Sequence, residues 1–197
     1  ETRSKFATVF RDISGQADAS AQDLANSYGL ASSKSMQLLT DTGDLLTGFG
    51  FSQEKALELS TGVNQLAVDL ASFTNFSGGA EGASQALTKA LLGERESIKS
   101  LGISILETDV KRKVSQMLAE GHTFASLRQA KAQATLVLAM EQSKNAIGDF
   151  ARTQHQLANQ ERILGSRIQD LKEAFGRILL PVALKVTQAM RGMVEAM

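Results

Sequence analysis

The sequence predicts an all-α chain: antiparallel helical hairpins or a bundle, a long C-terminal heptad-patterned helix, and at most one short extended segment near 101–105. Three observations carry that expectation. One proline, one tyrosine and no tryptophan in 197 residues make a profile poor in strand formers. Apolar residues return at helical spacing along most of the length. Glycine, serine, threonine and aspartate interrupt those stripes where helices start and stop. The length suffices for one sizeable domain or two small ones. The pattern divides it into N-terminal helices over 1–50, a central glycine-punctuated region over 51–121, and a long helical hairpin or coiled-coil region over 122–197.

Taken in order, Phe6, Phe10, Ile13, Ala17, Leu24 and Tyr28 share one stripe, with an interruption expected at Gly15 and an end at Gly29. A second helix fits 33–47, with Met36, Leu39 and Leu46 inward, and Gly48-Phe49-Gly50 forms the following turn. Ser52 is placed to cap a third helix, with Glu54 in its first turn near the free amides. From there Ala56, Leu59, Val63, Leu66, Leu70 and Phe73 step by three and four, a strict seam for packing against another helix. Gly78, Gly79 and Gly82 make 75–82 a loop or a helix stop. It has neither the lysine nor the preceding apolar strand of a phosphate-cradling loop. A helix over 83–92 follows, then a short helix over 94–99 in which Arg95 and Lys99 pair with neighbouring carboxylates.

Leu101 to Ile105 alternates β-branched residues and is the one candidate for an extended segment. Glu107 or Thr108 then opens a helix burying Val110, Val114, Met117 and Leu118. With Thr123 as cap, Phe124, Leu127, Ala130, Ala134, Val137 and Met140 begin a long helix reaching toward Ile147. Its alanines, Ala130, Ala132, Ala134 and Ala139, permit close approach of a partner helix. Gly148-Asp149 restarts the helix, with Asp149 as N-cap.

The last helix is the most regular. Leu157, Leu164, Leu171 and Ile178 recur every seven residues, as do Ile168, Phe175, Val182 and Ala189 four residues out of phase. Glu161 and Lys185 fall on the same seam and break it. Two dispositions stay open: antiparallel pairing with the preceding long helix, or parallel zipping with another copy. Pro181 removes an amide donor and crowds the carbonyl four residues back, so a kink or boundary is expected over 177–181. The candidate packing and self-association residues are therefore Leu59, Val63, Leu66, Leu70 and Phe73 in the first seam, and Leu157, Leu164, Ile168, Leu171, Phe175, Ile178 and Val182 in the second.

Composition narrows the chemistry. No cysteine means no disulfide framework and no thiolate metal site. Formal charge is zero, yet residues 1–100 carry 8 basic and 12 acidic side chains while 101–197 carry 13 and 9. That asymmetry is too small to imply nucleic-acid binding, and Lys111-Arg112-Lys113 reads as a solvated helix face. His122 and His155 have no second ligand at metal spacing, Glu94 and Glu96 do not share a helix face, and no hydrolase, P-loop or calcium-loop pattern occurs. No catalytic, cofactor-binding or metal residue is assigned, and the expectation is a non-enzyme without cofactor. The chain opens on Glu1 with no signal-peptide pattern, as expected of a piece of a longer protein.

Three stretches carry a resemblance. Residues 44–105, reading DLLTGFGFSQEKALELSTGVNQLAVDLASFTNFSGGAEGASQALTKALLGERESIKSLGISI, form one. The others are Gly148-Asp149-Phe150-Ala151-Arg152-Thr153 with Ala158-Asn159-Gln160, and Leu179-Leu180-Pro181-Val182. Their order and spacing resemble the shared helical region of the tail tape measure proteins of tailed bacteriophages and prophages. The resemblance implies a mostly helical virion structural protein that lies in the lumen of the growing tail tube, sets tail length by its own extent and leaves at infection. It implies assembly in the host cytoplasm, and as partners other copies of itself, the major tail tube protein, tail tip or distal tail proteins and tail assembly chaperones. It implies no sequence-specific nucleic acid, and membrane contact only during infection. No catalytic residues of that family fall in the matched stretches. The amphipathic, methionine-rich segment 178–197 sustains an alternative, a membrane-active or channel-forming helical protein aiding DNA delivery.

Overall fold

A computed structural model describes residues 2–195; within the last helix, side chains are described through Arg177 and, beyond it, for Leu180, Pro181 and Gln188. Among the described residues the chain is all-helical, 79% helix in nine α-helices and two short 3₁₀ turns, with no strand. α1 (Thr2–Val9) and α2 (Ser14–Tyr28) are joined by a 3₁₀ turn at Arg11–Ile13. The break therefore falls at Phe10 rather than Gly15. Phe10 leaves the helical path to stack edge-on to Phe6, ring centroids 5.3 Å apart, and both rings are buried. Room for Phe10 comes from α3 (Ser32–Gly48): a Cβ on Gly43 would lie 2.3 Å from its ring.

α4 (Gln53–Phe73) starts as its sequence dictates, the Ser52 hydroxyl accepting from the Lys55 amide at 3.3 Å. It is the central post: α2, α3, α5, α7 and α8 all pack on it. Its seam residues Ala56, Leu59, Val63, Leu66 and Leu70 are buried. Phe73, expected inward, is exposed. The helix stops at that residue, the chain turns through Asn75 at φ +48°, and Phe76 folds over Gly78 and Gly82 to pack on the core instead.

α5 (Gly79–Leu92) begins four residues earlier than expected, so Gly79 to Gly82 form its first turn and only 74–78 remain a loop. The expected helix over 94–99 is a turn leading into a 3₁₀ segment, Ser97–Leu101. Lys99 pairs with Glu96, but Arg95 reaches across to Glu107, 2.9 Å away, which also holds Lys131. Those two cations hold the Glu107 carboxyl below its usual range, the Lys131 bond contributing most. Past the left-handed Gly102, residues 103–106 form neither helix nor strand and join no ladder. The Gln142 amide takes the place of a neighbouring strand, accepting from Ser104 N and donating to Ser104 O, each at 2.8 Å. Ile98, Leu101, Ile103 and Ile105 are pressed into the core from this segment.

α6 (Glu107–Ala119) buries Val110, Val114 and Met117, while Leu118, expected with them, is exposed because it sits off the stripe that meets α7. α7 (Leu127–Gln142) is capped by Ser126 rather than Thr123, and Leu127 at its first turn is exposed. It ends at Gln142, short of Ile147. Its alanine face is buried against α5 and α6. The large cluster so formed spans α4 to α7; a smaller one joins α1 and α2 to Leu39 and Leu57.

α8 (Asp149–Thr153) is a single turn whose N-cap is Gly148, so Asp149 is the first helical residue and not the cap. α9 (Leu157–Glu195) then runs for 39 residues, continuing through Pro181, so of the kink or boundary expected over 177–181 the boundary does not occur. Of the two dispositions left open for the last helix, the hairpin with α7 is not seen among the described residues: α7 is occupied by α4, α5 and α6, and the described contacts of α9 go to the α2–α3 turn, the end of α4 and α8.

Candidate functional site

The root of α9 is set by a buried polar junction. Asp69 on α4 is buried, and its carboxylate accepts from the amides of Gly148 at 2.7 Å and Phe150 at 3.2 Å. It thus caps α8 from another element, where the local Gly148 offers no side chain. Burial pushes the Asp69 carboxyl above its usual range; the two amides and Arg152 oppose that shift, and Asp149 adds to it. Tyr28, tilted against Phe150 with centroids 5.7 Å apart, has its hydroxyl raised by burial and by the nearby Asp69 charge.

One turn further along α4, Ser72 and Thr153 share a hydrogen bond of 3.0 Å. The Asn159 amide donates to both hydroxyls, at 3.1 and 2.9 Å. Arg162 joins Asn159 to Asn75 through bonds of 2.9 and 3.0 Å. The stretch Gly148 to Thr153 with Asn159, quoted above for its resemblance, is therefore the joint that orients the long helix.

Beyond the joint, α9 lies on the body by its polar side. Asn159 is buried, and Arg162, Ile163, Ser166, Asp170, Glu173 and Ala174 are half-buried. Ile163 rests on Gly29: a Cβ there would lie 2.4 Å from its Cγ1, and the φ of +60° lies in the left-handed region that favours glycine. α3 has Ala31 at its cap and no acidic residue in its first turn; Asp170 accepts from Ser32 N at 2.9 Å and Glu173 accepts from Ser33 Oγ, so α9 supplies both the cap and the negative charge. A polar groove of about 710 Å³ remains between α1, α3 and α9.

The opposite side of α9 is apolar and faces away from the body. Leu157, Leu164, Ile168, Leu171 and Phe175 are 75%, 60%, 44%, 56% and 56% exposed. An amphipathic helix on a globular surface ordinarily turns its apolar face inward. α9 is inverted. Of the residues assigned to packing or self-association from sequence, Leu59, Val63, Leu66 and Leu70 lie in the core, Phe73 and the five α9 residues lie at the surface, and the side chains of Ile178 and Val182 fall outside the described residues. Asp69, Ser72, Asp170 and Glu173 carried no local signal, since each acts on an element far along the chain.

Other chemistry is sparse. His122 and His155 are both exposed, His122 beside Phe124. Among the described residues no three His, Cys, Asp or Glu side chains are grouped as metal ligands, and no helix is long and apolar enough to cross a membrane. No protein-family model matches the chain, and no curated protein or solved structure gives a significant match.

Proposed function

We propose that this chain is a structural segment of a phage tail tape measure protein, a non-enzymatic scaffold and length ruler that works through helix faces. The observation that carries the reading is the inverted α9: a 39-residue helix held by a polar joint, presenting an apolar stripe, described from Leu157 to Phe175 and interrupted by Glu161, to something outside the body. A ruler needs such a surface, because its copies and the surrounding tube must grip each other along their length. The quoted motif residues support the reading as well, since Asp149, Thr153 and Asn159 sit in the joint that aims the helix. Partners in this reading are other copies, the tail tube protein, distal tail proteins and assembly chaperones, in the host cytoplasm and then in the tail lumen.

The test is an in-frame deletion of one, two or three heptads of α9 in the phage that encodes the chain. A helix rises 1.5 Å per residue, so each heptad removed should shorten the tail by roughly 10 Å. Tails measured by electron microscopy that keep their length after all three deletions would sink the proposal for this segment.

A further inference from the structure

A groove of about 580 Å³ lies between the turn after α3, the end of α5 and the starts of α6 and α7. No residue of α8 or α9 lines it, so it is separate from the helix on which the tail reading rests. The deeper part of its lining is apolar: Leu91 belongs to the main cluster and Phe49 packs against it. Leu92 and Leu127, 50% and 65% exposed, form its rim, and open space adjoins Gly93.

The charged lining is three cations and one carboxylate. Arg95 and Lys131 share Glu107, at 2.9 and 2.6 Å. Arg128 lies over the Phe49 ring, its Cζ 5.3 Å from the centroid, and joins none of the ion pairs among the described residues. Two positive charges are therefore in excess. Arg95 is the least accessible of the three, its side chain 13% exposed and committed to Glu107, which leaves Arg128 and Lys131 to meet a ligand.

We propose that this groove receives a segment of a foreign protein in which a carboxylate stands beside a leucine-sized side chain, the carboxylate meeting Arg128 and Lys131 and the apolar group covering Phe49, Leu91 and the rim leucines. The placement of the cations supports an acidic ligand. Elsewhere the chain neutralises surface cations three residues along, as in Lys55–Glu58, Lys99–Glu96 and Arg112–Asp109. Arg128 and Lys131 have the same spacing but the same sign, and they stand at the start of α7, whose first turn holds no acidic residue. The helix dipole and the like-charge spacing both oppose that arrangement in the free chain. A carboxylate from outside relieves both.

The shape of the groove selects the class of ligand. It has room for one or two side chains and is open to solvent, so a free fatty acid would leave most of its tail in water. Its rim leucines instead offer contact to a larger surface. An anionic bilayer or a phosphodiester chain spreads its charge more widely than the groove, where it meets the carboxylates of Glu107 and of Glu94, exposed beside Arg95. A nucleobase finds little to stack on, because Phe49 is packed on the core and covered by Arg128. A single carboxylate flanked by aliphatic atoms satisfies both halves of the lining.

The experiment titrates the full chain, isotope-labelled, with the capped peptide acetyl-Gly-Leu-Glu-Leu-Gly-amide and follows backbone amides by NMR. Shifts should move over 91–95 and 127–131, saturate in the millimolar range and leave α9 unaffected. Exchanging the peptide's glutamate for glutamine, or its leucines for alanine, should each weaken binding by about tenfold or more. Arg128→Glu should abolish binding with a melting temperature equal to or above that of wild type, because a carboxylate suits the start of a helix. Absence of shifts, equal affinity for the glutamine peptide, or wild-type binding by Arg128→Glu would overturn the proposal. Equal affinity for the alanine peptide would overturn the amphiphilic ligand and leave a bare anion site. Sedimentation with phosphatidylserine vesicles that is lost in Arg128→Glu would overturn the protein ligand and give the groove to a lipid surface. If Arg128→Glu unfolds, the three peptides on the wild-type chain still decide.

Discussion

α4 and α9 carry the same signal in sequence and meet opposite fates. Each steps its apolar residues by three and four for five positions or more. α4 sinks that seam among α2, α3, α5 and α7 until Val63 shows no exposed surface, whereas α9 turns its seam outward with Leu164 60% exposed. The difference lies in the other face of each helix. The remaining faces of α4 hold Ala67, Val68, Ala71 and a buried Ser60 and Asn64, small or internally satisfied groups that let neighbours close in on every side. The far face of α9 holds Asn159, Arg162, Asp170 and Glu173, each of which finds a specific polar partner on the body. Heptad spacing reports that a helix has two unlike faces. Which face meets the body is decided by whether the polar one has somewhere to bond.

The largest expected effect separates the two seams directly. Leu66→Ala removes a side chain only 3% exposed from the middle of the main cluster and should cost about 2–5 kcal/mol of folding stability, through lost transfer energy and the cavity left behind. Urea denaturation at fixed pH measures it. A loss below about 1 kcal/mol would mean that α4 is not the post around which the body is built.

A smaller effect sharpens the role of the joint. In Asp69→Asn one side-chain atom can still accept an amide hydrogen, but the other becomes a donor facing a donor, leaving Gly148 or Phe150 unsatisfied. The expected cost is about 1–3 kcal/mol. Its pH dependence has a definite sign. The folded carboxyl of Asp69 lies above its ordinary 3.8, so the folded state binds that proton more tightly than the unfolded chain. The associated stability is fully present below the ordinary value and is lost as pH rises through the raised one. The gap between wild type and Asp69→Asn should therefore be widest in acid and narrow toward neutrality. A gap that widened with pH would show that the amides and Arg152 outweigh burial in setting the charge.

Much of this architecture is legible in the chain. The helical class, the Ser52 cap, the core face of α4 and the limits of α3 follow from local rules, because capping and periodicity are read over a few residues. Boundaries set by distant contacts are not. The break at Phe10 depends on Gly43, thirty-odd positions away in sequence, leaving room for a ring. The caps of α3 and α8 come from Asp170 and Asp69, so Ala31 and Gly148 give no hint that their helices are capped at all. The candidate surface shows the same division. Leu157, Leu164, Ile168, Leu171 and Phe175 could be singled out as one stripe, but nothing local tells an outward stripe from an inward one. That information resides in the polar partners of the other face.

The smallest expected effect completes the contrast with Leu66. Leu171→Ala removes the same atoms from a residue that is 56% exposed, so the stability of the isolated chain should change by less than about 0.5 kcal/mol, with alanine's helix propensity offsetting part of the loss. The comparison has to be made at two concentrations. Where copies pair through the seam, association stabilises the fold by mass action, and the melting temperature of wild type rises with concentration. Leu171→Ala weakens that pairing without touching the body. Its melting temperature should match wild type when dilute and fall behind as concentration increases. Equal behaviour at every concentration would leave Leu171 facing water in all states, whereas a large loss even when dilute would place it in a contact within the chain. The same truncation thus reads folding in one seam and association in the other.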